Sequence, residues 1–221
     1  MATNDGRGGE PLIFPIGCYT GTMYEDPYTV DRHHNVMVGA QLLQLNDEQL
    51  AVWLLARGVP EQVTDRPWTR PTLRDEAAKA GIANVEQMLA GLTADGLVVE
   101  TTPGTEHSVD FAESYRFVPL MLGLGNTSEE PWLYRIGFFQ QPVISVAGEV
   151  YGMWEWAHVD NNLWAACHAY ADTSKRAGSS DPDDTVPERV LTGFLGAIHP
   201  LLTASAAYLD LAWLDQPGEL S

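Results

Sequence analysis

The sequence predicts an α+β protein in which two similar units follow in tandem, each with helices packed on small antiparallel sheets. Three observations predict it. Short β-prone runs, PLIFPIGCYTG at 11–21 and VMVGAQLLQL at 36–45, come ahead of the helical segments rather than alternating with them. Three segments of helical period then lie between residues 46 and 96, each closing on a glycine. Finally, stretches of the first half echo in the second half in the same order.

The elements follow in sequence. Residues 1–9 are polar and read as a flexible tail, and 10–122 form the first unit. The run 23–35 is a loop. Asn46 or Asp47 caps a helix that ends at Gly58, with Leu50, Trp53 and Leu54 on one face. After a loop at 59–71, Thr72 with Asp75 resembles a capping box for a second helix ending at Gly81. A third helix starts at Ala83 or Asn84 and ends at Gly96, with Val85, Met88, Leu89 and Leu92 along one side. Residues 97–120 read as a hairpin turning at Pro103-Gly104.

The second unit spans 123–215. EPLIFPIGCY (10–19) overlays EPWLYRIGFF (130–139), GAQLLQLNDEQL (39–50) overlays GMWEWAHVDNNL (152–163), and EQMLAGL (86–92) overlays ERVLTGF (188–194). In this reading the second unit lacks the short middle helix and carries a polar loop at 172–184 in its place. Tyr151–Trp156 alternates like a strand, with Trp154 and Trp156 on one face. Val190–Leu209 has no charged residue, which predicts helices buried in the core or in a homodimer interface over 188–214 rather than a membrane span.

Composition narrows the function. The chain has 221 residues, 45% of them hydrophobic, enough for a substantial core. Acidic residues number 30 against 12 basic, a net charge of -18, and each half carries -9 of it. Such a field repels phosphate backbones and anionic lipid. Cys18 and Cys167 are far apart and read as reduced thiols. With no apolar signal core at the N-terminus, the expected location is cytoplasmic.

From Asn46 to Leu120, the TL…AAKAGI…V..ML..L..DGLVV spacing and the Asp95-Gly96-Leu97-Val98 exit resemble the winged-helix superfamily. The strands ahead of the first helix make the arrangement similar to the leader-recognition elements of ribosomal-peptide biosynthesis. That resemblance implies a peptide that adds as a strand and lies against the third helix.

Winged-helix DNA readers carry cations on the third helix. Residues 84–96 offer Glu86 and Asp95 and no cation. The remaining candidates for backbone contacts are Arg70, Arg74 and Lys79. No catalytic motif or metal site is read, and no cofactor is implied. His33-His34 reads as a surface pair, Asp160 as a helix cap, and His199 as a core histidine. Cys167-His168 are helix neighbours that face apart. The expected function is therefore non-catalytic recognition of a basic or amphipathic peptide or protein, by Glu86, Met88 and Leu92 on the third helix and by Trp154 and Trp156. The strand edges at 12–19 and 132–139 are the expected places for a peptide to add. The alternative is a DNA-binding regulator with an aromatic effector pocket.

Overall fold

The computed structural model describes residues 9–25 and 30–213, so the tail read over 1–9 lies outside the described residues apart from Gly9. The fold is α+β with small antiparallel sheets. The chain begins with strand β1 (Leu12–Pro15) and a meander of β2 (Cys18–Tyr24), β3 (Arg32–Val38) and β4 (Gln41–Leu45). Helices α1 (Asp47–Ala56), α2 (Arg70–Lys79) and α3 (Val85–Ala94) follow. Strand β5 (Val98–Thr101) then returns antiparallel to β1. After α4 (Glu106–Ser114) come β6 (Tyr115–Pro119) and a second meander, β7 (Leu122–Gly125), β8 (Leu133–Phe138) and β9 (Gln141–Ala147). Helix α5 (Gly148–Trp156), a 3-10 turn at Ala157–Val159, α6 (Leu163–Arg176), the short α7 (Pro182–Thr185), α8 (Pro187–Ala197) and the short α9 (His199–Thr203) lead to β10 (Ala207–Leu211). β10 returns antiparallel to β6.

The order of elements thus recurs, and so do particular contacts. Pro15 stands opposite Val98 and Pro119 opposite Ala207. Ile16 N–H donates to Leu97 O and Leu120 N–H to Ala206 O, both at 2.9 Å. Gly21 and Gly125 sit at register shifts in β2 and β7 with φ of 130° and 68°, a conformation that favours glycine. Trp53 on α1 and Trp154 on α5 are both buried and both donate their indole N–H to a main-chain carbonyl, Ile16 O at 3.1 Å and Ala206 O at 3.0 Å. The overlay of 86–92 on 188–194 falls on α3 and α8. The other two overlays do not match in space: 10–19 on 130–139 sets β1 against β8, and 39–50 on 152–163 sets β4 and the start of α1 against α5.

Local chemistry explains most boundaries and corrects several readings. Asn46 caps α1 in a full capping box, its side chain accepting from Gln49 N–H at 2.8 Å while Gln49 reaches back at 3.0 Å. The cap of α2 is Thr69, not Thr72. The cap ahead of α6 is Asn162, not Asp160. The expected hairpin at 97–120 does not form: α4 separates β5 from β6, and each pairs with a distant strand. Tyr151–Trp156 is helix, not strand, with Tyr151, Met153 and Trp154 buried. A helix stands between α5 and α8 where the reading had none: α6 runs to Arg176 and takes the first five residues of the predicted loop at 172–184, and α7 takes its end.

The uncharged run 190–209 is spent inside the chain: Val190, Leu191, Phe194, Leu195, Leu201 and Leu209 are all buried in the common core. Of the two places expected for this run, these residues take the core, while Leu211 and Trp213 beyond it stay exposed. Among the described residues, no helix is long and apolar enough to cross a membrane.

Candidate functional site

The β3–β4 hairpin turns on Gly39-Ala40, with Val38 paired to Gln41, Val36 to Leu43 and His34 to Leu45. In such a two-residue hairpin, alternate residues exchange hydrogen bonds across the strands. The N–H groups of Leu42 and Gln44 therefore point away from β3, along the outer edge of β4. The sheet edges are guarded unequally. β2 and β7 are bent at Gly21 and Gly125, and β9 carries Pro142 and an extra residue, Val143, against β8. All three are devices that discourage another strand from pairing. β4, QLLQL, has no charge, proline, glycine or register shift. Helix α1 packs against both β4 and α3, with Leu50 half-buried and Leu54 exposed. A plain strand edge and the third helix thus flank the same helix.

The outward residues of α3 are Glu86, Gln87, Ala90, Gly91, Thr93 and Ala94, small or polar and without a cation. The nearest cations are matched by carboxylates. Arg70 bonds Glu100 and also Glu86 at 3.1 Å, and Arg74 meets Glu86 at 3.4 Å. Lys79 and Arg66 converge on Glu76 at 2.6 and 2.8 Å. Hydrogen bonding to Glu100 holds the Arg70 guanidinium above its usual pKa against partial desolvation. The three candidate phosphate contacts, Arg70, Arg74 and Lys79, are therefore each engaged within the chain.

The predicted contact residues fare differently. Leu92 is fully buried and Trp154 is 2% exposed, so neither is presented to a partner; both fill the core. Met88 is half-buried against the core and Glu86 is exposed but shared between two arginines. Trp156 is 64% exposed and stands at the rim of an apolar cavity between α5 and α6. Of the two strand edges expected to be open, 132–139 is occupied, and so is 12–19 over β1, while its last two residues begin the edge strand β2. β1 pairs with β5 on one side and bridges to Thr69 and Leu209 on the other, and β8 is the centre of its sheet. Sequence reasoning read 36–45 as β-prone but missed β4 as an open edge. Its signal was the run of five uncharged residues after a glycine turn.

His34 is also corrected. It is 5% exposed rather than a surface residue, facing inward with Val36 and Val38. Its Nε2 meets Asp47 at 2.7 Å and its Nδ1 meets the Thr22 hydroxyl at 2.9 Å, and that hydroxyl also contacts the Tyr19 hydroxyl at 2.7 Å. Arg32 bonds both Asp47 oxygens at 2.8 and 3.0 Å. Bonding to Arg32 first, and then to His34, holds the Asp47 carboxyl down at about 2. This chain ties β2 and β3 to the start of α1, and so positions the helix that β4 and α3 flank.

Elsewhere, burial pushes the Cys167 thiol up to about 12, unsuited to a nucleophile at neutral pH. His168 lies edge-on to Trp164 at 4.6 Å. His199 is a buried core histidine, stacked on Phe14 at 4.7 Å. Comparison with protein-family models, with curated proteins and with solved structures finds no match.

Proposed function

We propose that the protein is a non-catalytic binding module that recognises a polypeptide segment by strand addition at β4, with α3 packed on the same helix, α1, as β4. The observation that carries this reading is the unguarded β4 edge, with the Leu42 and Gln44 N–H groups turned outward. The face of α3 supports it, since small residues let a main chain approach closely and no cation there serves phosphate. The net charge of -18 favours a basic or amphipathic segment. The order of a three-stranded sheet followed by three helices is what the likeness to leader-recognition elements leads one to expect, and a role beside a peptide-modifying enzyme follows from it. Tandem duplication of a winged-helix-related unit is part of the same proposal. Its support is the paired prolines, bulge glycines and indole-to-carbonyl bonds of the two halves.

The test is selection of binders from a displayed peptide library, followed by titration into isotope-labelled protein. Amide shifts should concentrate on 41–45 and on α3. Gln44→Pro deletes an outward N–H and no bond within the sheet, so binding should fall at least about tenfold with little change in stability. Selected peptides whose shifts map elsewhere and that bind Gln44→Pro equally well would overturn the reading. Retention on heparin and binding of a DNA duplex that is lost in Arg70→Ala and Arg74→Ala would favour the regulator instead.

A further inference from the structure

In the second half, two cavities of about 510 and 520 Å3 lie side by side among α5, α6, α7 and α8, with Met153 and Tyr170 in the walls of both. Each is of a size that holds a small organic molecule. The Tyr170 ring lies across Gly152 of α5, so close that a β-carbon there would come within 3.2 Å of it. The first cavity is walled by Val150, Met153, Val190 and Phe194.

Its polar rim is one-sided. Glu149, Asp183 and Asp184 line it, against a single cation, Arg189, which is already bonded to Asp183 at 2.9 Å. Asp184 accepts a hydrogen bond from the Ser179 hydroxyl at 3.2 Å, which leaves its charge in place. The Tyr170 phenol feels the same field: burial first, then the Asp184 and Glu149 carboxylates, push its pKa up. A neutral ligand gains apolar burial and at most a hydrogen bond to a rim carboxylate, without the attraction between charges, and an anion is repelled by the rim and by the whole molecule. A cation on an apolar body satisfies both the wall and the rim.

We propose that this cavity binds a small amphipathic cation, an amine or guanidine carried on an apolar body, with its charge toward Glu149 and Asp184 and its body against Met153 and Phe194. The site is separate from the β4 edge and stands whether or not that edge binds peptide.

Calorimetric titration of the whole protein with octylamine, octanol and octanoate tests it. Octylamine should bind about tenfold or more tightly than octanol, the equivalent of one charge-assisted contact, and octanoate should give no binding. Glu149→Gln combined with Asp184→Asn should bring octylamine down to the level of octanol. Gly193→Leu is the second variant. Gly193 lines the cavity on α8, and a β-carbon there would have no neighbour within 4 Å, so leucine projects into open space. Leucine also forms helix better than glycine, so the variant keeps its fold. It should lose at least about tenfold in octylamine affinity. Equal binding of amine and alcohol, amine binding untouched by Gly193→Leu, or no amine binding up to millimolar concentration would each overturn the proposal.

Discussion

His199 shows how one buried polar side chain ties local chemistry to stability. Its Nε2–H donates to Ile13 O at 2.9 Å, so that carbonyl fixes which ring nitrogen carries the proton, and the ring stacks on Phe14. Burial lowers its pKa from 6.5 to about 4, only partly opposed by the bond to Ile13. A base whose pKa is depressed on folding is neutral in the native state and gains a proton more readily when unfolded. Its contribution is therefore complete above pH 6.5 and is lost as pH falls toward 4. At about 1.4 kcal/mol per pKa unit this amounts to roughly 3 kcal/mol. Carboxylates titrate in the same window, so the difference between proteins is what isolates the histidine. His199→Gln keeps an N–H for Ile13 O and has no titrating group. Urea unfolding at several pH values between 4 and 7 should show wild type losing roughly 3 kcal/mol relative to this variant. Parallel pH profiles would mean that the ring is not buried and neutral.

At the scale of elements, caps decide where helices begin. Asn46 and Asn162 each accept a main-chain N–H three residues ahead, at 2.8 Å in both cases. Replacing either by alanine should cost about 1 kcal/mol in urea unfolding. Asp160→Ala should cost little, because the N-cap of α6 is Asn162 and Asp160 only follows the 3-10 turn. The extent of α1 was legible from its Asn46 cap and closing glycine, although its buried face is Val52, Trp53 and Ala56, and that of α3 from its apolar stripe and closing glycine, although Asn84 makes no side-chain cap bond. Two elements were not legible, for different reasons. Tyr151–Trp156 alternates in apolarity over six residues, and aromatic residues favour strands, so a short window cannot separate period 2 from period 3.6. Packing decided it: Tyr151 and Trp154, three residues apart, turn to the same core. The run 97–120 fails for another reason. Its strands are real, but β5 pairs with β1 and β6 with β10, partners 89 and 92 residues away at Leu12–Thr101 and Phe117–Leu209 within the registers. Nothing local announces such pairing. The candidate edge was equally hidden, since β4 is exposed only because its sheet ends there. Of the side chains expected at the site, Leu92 and Trp154 were recognised as apolar and periodic, which is what made them core.

At the scale of the molecule, the two halves are interlocked rather than strung together. Ile16 bridges to Leu209, Gly17 N–H donates to Leu209 O at 2.7 Å, and Arg57 reaches the Ser205 hydroxyl at 3.0 Å. His199 on α9 bonds β1, and one hydrophobic cluster runs through both halves. Asp210 concentrates the coupling. One of its oxygens accepts the Gly39 N–H at 2.7 Å, and the other faces Arg116 at 3.4 Å, whose guanidinium lies 4.2 Å from the Trp213 ring centre. The Arg116 and Asp210 side chains are 13% and 10% exposed. Deleting the carboxylate leaves a cation without its partner and the β3–β4 turn without its acceptor, a loss of the order of 3–5 kcal/mol. Because the turn belongs to the first half and Asp210 to the second, the damage should not stay where the substitution is made. Asp210→Ala should lower the urea midpoint reported by amide exchange in β3 and β4 as much as that reported by α6 and α8, in one transition. Asp210→Asn, which keeps an oxygen for Gly39, should fall between alanine and wild type. Separate transitions for the two sets of amides, with only the second displaced, would mean that the halves fold independently and that the contacts joining them contribute little.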